Sequence, residues 1–271
     1  MITFHSKIHV TITEVIMKRI IALLTALLLV LSMSACGKKT EGTFTVGFDQ
    51  NFPPMGFVDE KGNFAGFDLD LAKEVAKRLN KELVLQPIAW DAKDLELSSK
   101  NIDCVWNGFT INGREEKYTW SDPYMNNSQV FVVKANSGIK KLSDLAGKTV
   151  AVQTDSSAEA ALAEQASLVA SFKSYIKTAD YNTAFMDLES GAVDAVAMDV
   201  IVADYQIEKR KASFLVLDEV LAEEEYGVGF LLGNTELRDQ VQEQLEAMAK
   251  DGTLAKISDK WFGRDVTIIG K

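Results

Sequence analysis

The sequence predicts an α/β protein of two similar lobes, and three observations carry that expectation. Short β-branched and aromatic runs alternate with helical patterns along most of the chain. One stretch occurs twice: Leu97-Ser98-Ser99-Lys100-Asn101-Ile102-Asp103-Cys104-Val105 aligns with Leu188-Glu189-Ser190-Gly191-Ala192-Val193-Asp194-Ala195-Val196. From Cys36 onward there are 236 residues, enough for two modest lobes or one large domain.

Phe44 to Phe48 reads as a strand and Asn51-Phe52-Pro53-Pro54 as the loop that ends it. Leu71, Ala72, Val75, Ala76 and Leu79 have helical spacing, with Asn80 as a stop and Asp68 or Asp70 as N-cap. Strands follow at Leu83–Leu85 and Asp103–Trp106, then at Lys148–Val152. Ser156 opens a helix to about Leu168, in capping-box form with Glu159. Tyr181 to Ser190 is helical and ends at Gly191, and Val193 to Met198 is a strand. Helices close the chain at Thr235–Lys250 and Thr253–Phe262, stopped by Gly252 and Gly263. Strand and helix alternation predicts mostly parallel sheets. Thr45-Val46-Gly47 and Thr149-Val150-Ala151 form a weaker echo that opens each block.

The amino terminus reads differently. Met17-Lys18-Arg19, the apolar run Ile20–Leu31 and the small residues before Cys36 form a secretory leader. The run is short for a membrane span, which needs about 20 apolar residues. Cys36 after Ser34-Ala35 resembles a bacterial lipobox, which implies cleavage before Cys36 and lipidation of its thiol. Residues 1–16 read as an upstream extension, 17–35 as a lipoprotein signal peptide and 36–42 as a lipidated tether.

Composition excludes several functions. The net charge is −10, and the leader adds Lys7, Lys18 and Arg19 against Glu14, so the remainder is more acidic still. That speaks against nucleic acid. The two cysteines, Cys36 and Cys104, give no disulfide framework once Cys36 is lipidated. Both histidines, His5 and His9, lie in the extension. Histidine bases, triads and metal sites are therefore not expected. No cofactor, metal or catalytic residue is assigned.

Ser156 and Ser157 begin a helix directly after a strand, which places N–H groups and hydroxyls where a carboxylate can sit. An ordinary N-cap is the alternative. Ligands of α/β sheets bind beyond the carboxyl ends of strands. That rule selects Trp106–Thr110 in one lobe and Asp199 in the other. Asp49 and Asn107 are placed to read a polar side chain. Glu223-Glu224-Glu225 reads as a solvated face, and Gly227-Val228-Gly229 as a crossover between lobes.

Three segments carry a family resemblance. They are Gly66-Phe67-Asp68-Leu69-Asp70-Leu71 with Ala72–Ala76, Gly108-Phe109-Thr110-Ile111 with Trp120–Tyr124, and Gly147–Gln153. In this order they resemble the polar amino-acid solute-binding proteins of ABC importers, bacterial solute-binding protein family 3, from about Phe44 to Phe262. The resemblance implies a two-lobed periplasmic-binding-protein-like α/β fold of type II. Lobe 1 would be 43–131 plus 226–271 and lobe 2 would be 132–225, with a hinge between them. It implies that Arg114 grips a ligand α-carboxylate, that Asp199 binds its α-ammonium, and that Phe52 and Trp90 wall the pocket. Gly108 and Thr110 would complete it. The family commonly has one more residue between the threonine and the arginine; here Gly113 is placed to adapt the turn.

The resemblance therefore implies a receptor, not an enzyme. It would capture a free amino acid and deliver it to a permease with its ATPase subunit, as a monomer on the extracytoplasmic face, lipid-anchored to the cell membrane. A dehydratase-like enzyme on the same fold and an amino-acid sensor are the rivals.

Overall fold

The computed structural model describes residues 42–210 and 213–271. The leader, Cys36 and the tether up to residue 41 lie outside them. Residues Gly42–Lys271 form one unit.

The chain builds β1 (Thr43–Phe48), then β2 (Asn51–Phe52), β3 (Gly56–Val58) and β4 (Phe64–Ala65), which pair as a small antiparallel sheet. Helix α1 (Phe67–Arg78) follows, then β5 (Glu82–Pro87), α2 (Lys93–Ser98), β6 (Cys104–Thr110), β7 (Tyr118–Trp120) and β8 (Met125–Lys134). Next come β9 (Thr149–Gln153), α3 (Ser157–Glu164), α4 (Ala166–Ser171), β10 (Ser174–Thr178), α5 (Tyr181–Ser190), β11 (Ala195–Asp199) and α6 (Val200–Arg210). The chain ends with β12 (Phe214–Val216), β13 (Ala222–Leu231), α7 (Thr235–Asp251) and α8 (Thr253–Phe262).

The large sheet runs β10-β9-β11-β8-β13-β6-β1-β5, with β12 on β8 and β7 on β13. Its wings are parallel: β10, β9 and β11 at one end, β6, β1 and β5 at the other. The centre is not. The ten-residue strands β8 and β13 are antiparallel to each other and to the wings. The expectation of mostly parallel sheets therefore holds for the wings and fails between them, where single long strands pass from wing to wing. Gly227–Gly229 lies within β13, at the register shift where it leaves β8 for β6.

Both sheet faces are covered, so burial follows a period of two. On β8, Val130 and Val132 join the large core cluster, whereas Phe131 and Val133 join a second one. On β6, Trp106 enters the large cluster, and Val105 and Phe109 enter a third with Trp90.

The sequence echo has a physical counterpart. The Thr45 N–H donates to Asp103 Oδ2 at 2.7 Å, and the Thr149 N–H donates to Asp194 Oδ2 at 2.8 Å. Each aspartate N–H returns a bond to the same threonine carbonyl at 2.8 Å. Lys100 and Gly191 occupy the same place in the two copies, and both have positive φ, 60° and 85°. The same clamp and turn are thus built once in each wing.

Two local readings are corrected. The helix from Ser156 breaks at Gln165 (φ −103°, ψ 48°) and restarts as α4. Neither Asp68 nor Asp70 caps α1. Its N-cap is Gly66, at φ 149°, where a Cβ would collide with the Met55 carbonyl. Asp70 pairs instead with Lys260 at 2.5 Å and Trp261 at 2.8 Å. Asp68 turns inward.

Candidate functional site

The carboxyl ends of β6, β9 and β11 converge on one small pocket. It is lined by Phe52, Trp90, Gly108, Thr110, Arg114, Gln153, Ser156, Ser157 and Asp199.

One end is cationic. Gly113 takes φ 76°, and the turn closes with the Arg114 N–H on the Ile111 carbonyl at 2.8 Å. The guanidinium, 8 % exposed, lies 5.4 Å from the Phe109 ring centre. It donates to the Thr110 carbonyl at 3.3 Å and the Asp155 carbonyl at 3.4 Å. The Asp155 carboxylate pairs with Lys93 instead. Among the described residues Arg114 therefore has no acidic partner.

Ser156 is the N-cap of α3, and its Oγ accepts the Glu159 N–H at 3.1 Å. Glu159 reaches one residue further back than a capping box does, to the Asp155 N–H at 2.7 Å. Ser157 Oγ accepts from Gln129 Nε2 at 2.9 Å. N–H groups of the first turn have no intrahelical acceptor, so this end of α3 favours an anion.

The other end is acidic. Asp199 is the last residue of β11 and is 2 % exposed. Its Oδ1 accepts from Asn127 Nδ2 at 2.9 Å and from the Tyr226 hydroxyl at 2.5 Å. Burial first, then the nearby Glu224 charge, push its carboxyl well above the usual carboxylate range.

Glu224 corrects the solvated-face reading. Glu223 and Glu225 are exposed, but Glu224 between them is 5 % exposed. Its Oε1 accepts from Asn127 at 2.5 Å and Gln129 at 2.7 Å. Alternation along β13 turns every second side chain inward, and Tyr226 follows on the same face.

The remaining expected residues divide. Gly108 (φ 58°) lines the cavity beside Phe52 and Tyr226, and Trp106 is core. Asp49 stands one residue back: Gln153 Nε2 donates to its Oδ2 at 2.8 Å. Burial raises its carboxyl to about 6. Asn107 does not line the cavity; its side chain points at Gly56.

Sequence reasoning missed Lys93, Asn127, Gln129 and Tyr181. Lys93 is 1 % exposed and donates to the Trp90 and Asp155 carbonyls, each at 3.3 Å. Trp90 Nε1 donates to the same Asp155 carbonyl at 3.2 Å. Tyr181 is fully buried, with its ring 5.9 Å from that of Phe52. A lysine in a polar stretch gives no sequence signal of burial.

Residues 44–264 match the profile of the bacterial extracellular solute-binding proteins, family 3. The chain is 36 % identical to the L-cystine-binding protein TcyJ of Escherichia coli over 233 residues, covering 84 % of this chain and 86 % of that protein. It is 30 % identical to the arginine-binding extracellular protein ArtP of Bacillus subtilis over 257 residues, covering 91 % and 98 %. Among solved structures, a substrate-binding protein of an ABC uptake transporter from Streptococcus pneumoniae with bound histidine superposes with a TM-score of 0.81. Identity there is 36 %, covering 83 % of this chain and 94 % of that one. The mixed α/β fold is that of these binding proteins, which are not enzymes. The chain belongs to the bacterial extracellular solute-binding proteins, family 3.

Proposed function

We propose that this protein is the amino-acid receptor of an ABC importer and that it holds its ligand as a zwitterion, α-carboxylate on Arg114 and α-ammonium on Asp199. The chain is an amino-acid-binding protein of the ABC uptake type. One observation carries the assignment of the two ends. A buried guanidinium and a buried carboxylate line the same cavity, and among the described residues neither has an ion-pair partner. Buried charges are costly unless paired, and a zwitterion supplies both counter-charges at once. A guanidinium presents two parallel N–H donors to a carboxylate. The first turn of α3 adds N–H groups and the Ser156 and Ser157 side chains.

Phe52 and Trp90 give apolar faces to a ligand stem, and the Gln153–Asp49 pair is a polar terminus for its side chain. That favours a sizeable neutral or cationic amino acid of the kind that the relatives' names give: cystine, arginine, histidine. We assign 43–131 with 226–271 to one lobe and 132–225 to the other, closing by a hinge at the two crossings in β8 and β13. The Cys36 leader pattern supports lipidation and anchoring beside the permease. Stable anchoring takes more than one acyl chain. Mass spectrometry of the membrane-bound protein reads that directly.

Calorimetry with the twenty amino acids plus cystine tests the receptor reading, and no binding by any of them contradicts it. Replacing Arg114 with Ala tests the anion clamp. The account expects a loss of about 2–5 kcal/mol, roughly 30-fold or more in Kd. Unchanged affinity leaves α3 as the sole carboxylate site.

A further inference from the structure

Asp199 is not alone at the acidic end of the cavity. Asn127 Nδ2 donates both to Asp199 Oδ1 at 2.9 Å and to Glu224 Oε1 at 2.5 Å, so one amide bridges two carboxyl groups. The two arrive from different strands, β11 and β13, and are 2 % and 5 % exposed.

What surrounds them decides their charge. Strand β8 offers the neutral amides of Asn127 and Gln129. Strand β13 offers the Tyr226 hydroxyl, which donates to Asp199 at 2.5 Å. From α5, Tyr181 is close enough for the charges of Asp199 and Glu224 to raise its hydroxyl further, and Asp49 acts on the same tyrosine. Ser157 of α3 meets only Gln129 here. Among the described residues, the one cation on the cavity wall is Arg114, whose N–H groups point to the Thr110 and Asp155 carbonyls. Two adjacent buried carboxyl groups with no cation beside them among the described residues are costly to ionise together.

We propose that Asp199 and Glu224 act as one acidic pair that holds a shared proton without ligand and gives it up to solvent when the ligand's α-ammonium enters. Glu224 is then a positioning residue: it acts through Asp199 and makes the seat respond to pH. Burial and the neighbouring carboxylate raise Asp199, in keeping with this geometry. A fixed positive charge within a few ångströms favours the ionised carboxylate and drives the proton out. The complex then holds one proton fewer than the separated partners, so Kd falls as pH rises, by up to tenfold per pH unit where the pair is protonated. This inference rests on the ammonium reading of Asp199.

The test is calorimetry of wild-type protein with L-cystine, L-arginine and L-histidine in phosphate and in Bis-Tris, at matched mildly acid to neutral pH where both buffer. The two buffers differ in ionisation enthalpy, so the difference in apparent binding enthalpy counts protons. Release approaching one proton per ligand, nearly abolished in Glu224→Gln and retained in Glu223→Gln at the exposed neighbour, is the expected result. A structural role for Glu224 would lower affinity without changing the proton count. Binding with no buffer dependence in wild type overturns the proposal and leaves the zwitterion reading intact. Release that persists undiminished in Glu224→Gln, or disappears in Glu223→Gln, also overturns it. If Glu224→Gln does not fold, the wild-type and Glu223→Gln titrations decide. Failure of every amino acid to bind removes the receptor reading itself.

Discussion

Asp68 Oδ2 accepts the backbone N–H of Gly108 at 2.6 Å, from a side chain with no exposed surface. The same oxygen accepts the Tyr124 hydroxyl at 2.8 Å. The second residue of α1 thus fixes a left-handed glycine on the cavity wall, from behind the wall. Burial, the largest influence, raises the Asp68 carboxyl to about 7.

That shift has a sign. Asp68 and Asp49 lie at about 7 and about 6 in the folded protein, against a usual 3.8. At intermediate pH the folded chain keeps protons that the unfolded chain has lost. Their contribution to stability is therefore complete below about pH 4 and is lost as pH rises to about 7. Asp68→Asn is a neutral stand-in for the protonated acid. Denaturant unfolding should show the fall in stability between pH 5 and pH 8 shrinking in this variant, by on the order of 2–3 kcal/mol. An unchanged pH dependence would exclude Asp68 as the group responsible.

Gly108 has φ 58°, and an added Cβ would stand 3.0 Å from Phe52 Cε1 and 3.2 Å from the Tyr226 ring. Left-handed backbone alone costs about 1–2 kcal/mol for a side-chain-bearing residue. Gly108→Ala should lower stability by about that much and also weaken ligand binding, because Phe52 must shift into the cavity. Melting temperature and Kd are the two readouts. Binding as tight as wild type would mean that Phe52 does not wall the ligand.

Asp155 is held from the opposite wing of the sheet. Its carbonyl accepts from Trp90, Lys93 and Arg114, and its carboxylate accepts from Lys93. These bonds join the segment after β9 to the segments after β5 and β6 over the cavity. Lys93→Met keeps the stem and removes the donor. It should raise the ligand off-rate by several-fold, corresponding to about 1 kcal/mol for a partly solvated pair, with a smaller effect on the on-rate. Stopped-flow tryptophan fluorescence follows both rates. An unchanged off-rate would contradict a latch at Asp155.

Part of the cavity was legible because its residues punctuate elements. Ser156 caps a helix and Asp199 closes a strand, whereas Arg114, Phe52 and Trp90 were legible only through the family resemblance. Helix Tyr181–Ser190 was read with its bounds because Asp180, Gly191 and the apolar spacing agree. Other features depend on tertiary context. Glu224 sits in an acidic run that looks solvated, and only the register Glu224↔Asn127 turns it inward. Asp68 has the type and position of an N-cap, yet Gly66 takes that place because of the close approach to Met55. The antiparallel centre escaped notice because a crossing strand has no local signature different from a wing strand.

The central claim is that the ligand is held by both ends of its zwitterion. Calorimetry should compare the amino acid that binds tightest with its methyl ester and its N-acetyl derivative, which remove the carboxylate charge and the ammonium in turn. The account predicts that each derivative loses about 2–5 kcal/mol, roughly 30-fold or more in Kd. An ester or an N-acetyl derivative that binds as tightly as the free amino acid would contradict the assignment of Arg114 or of Asp199, respectively.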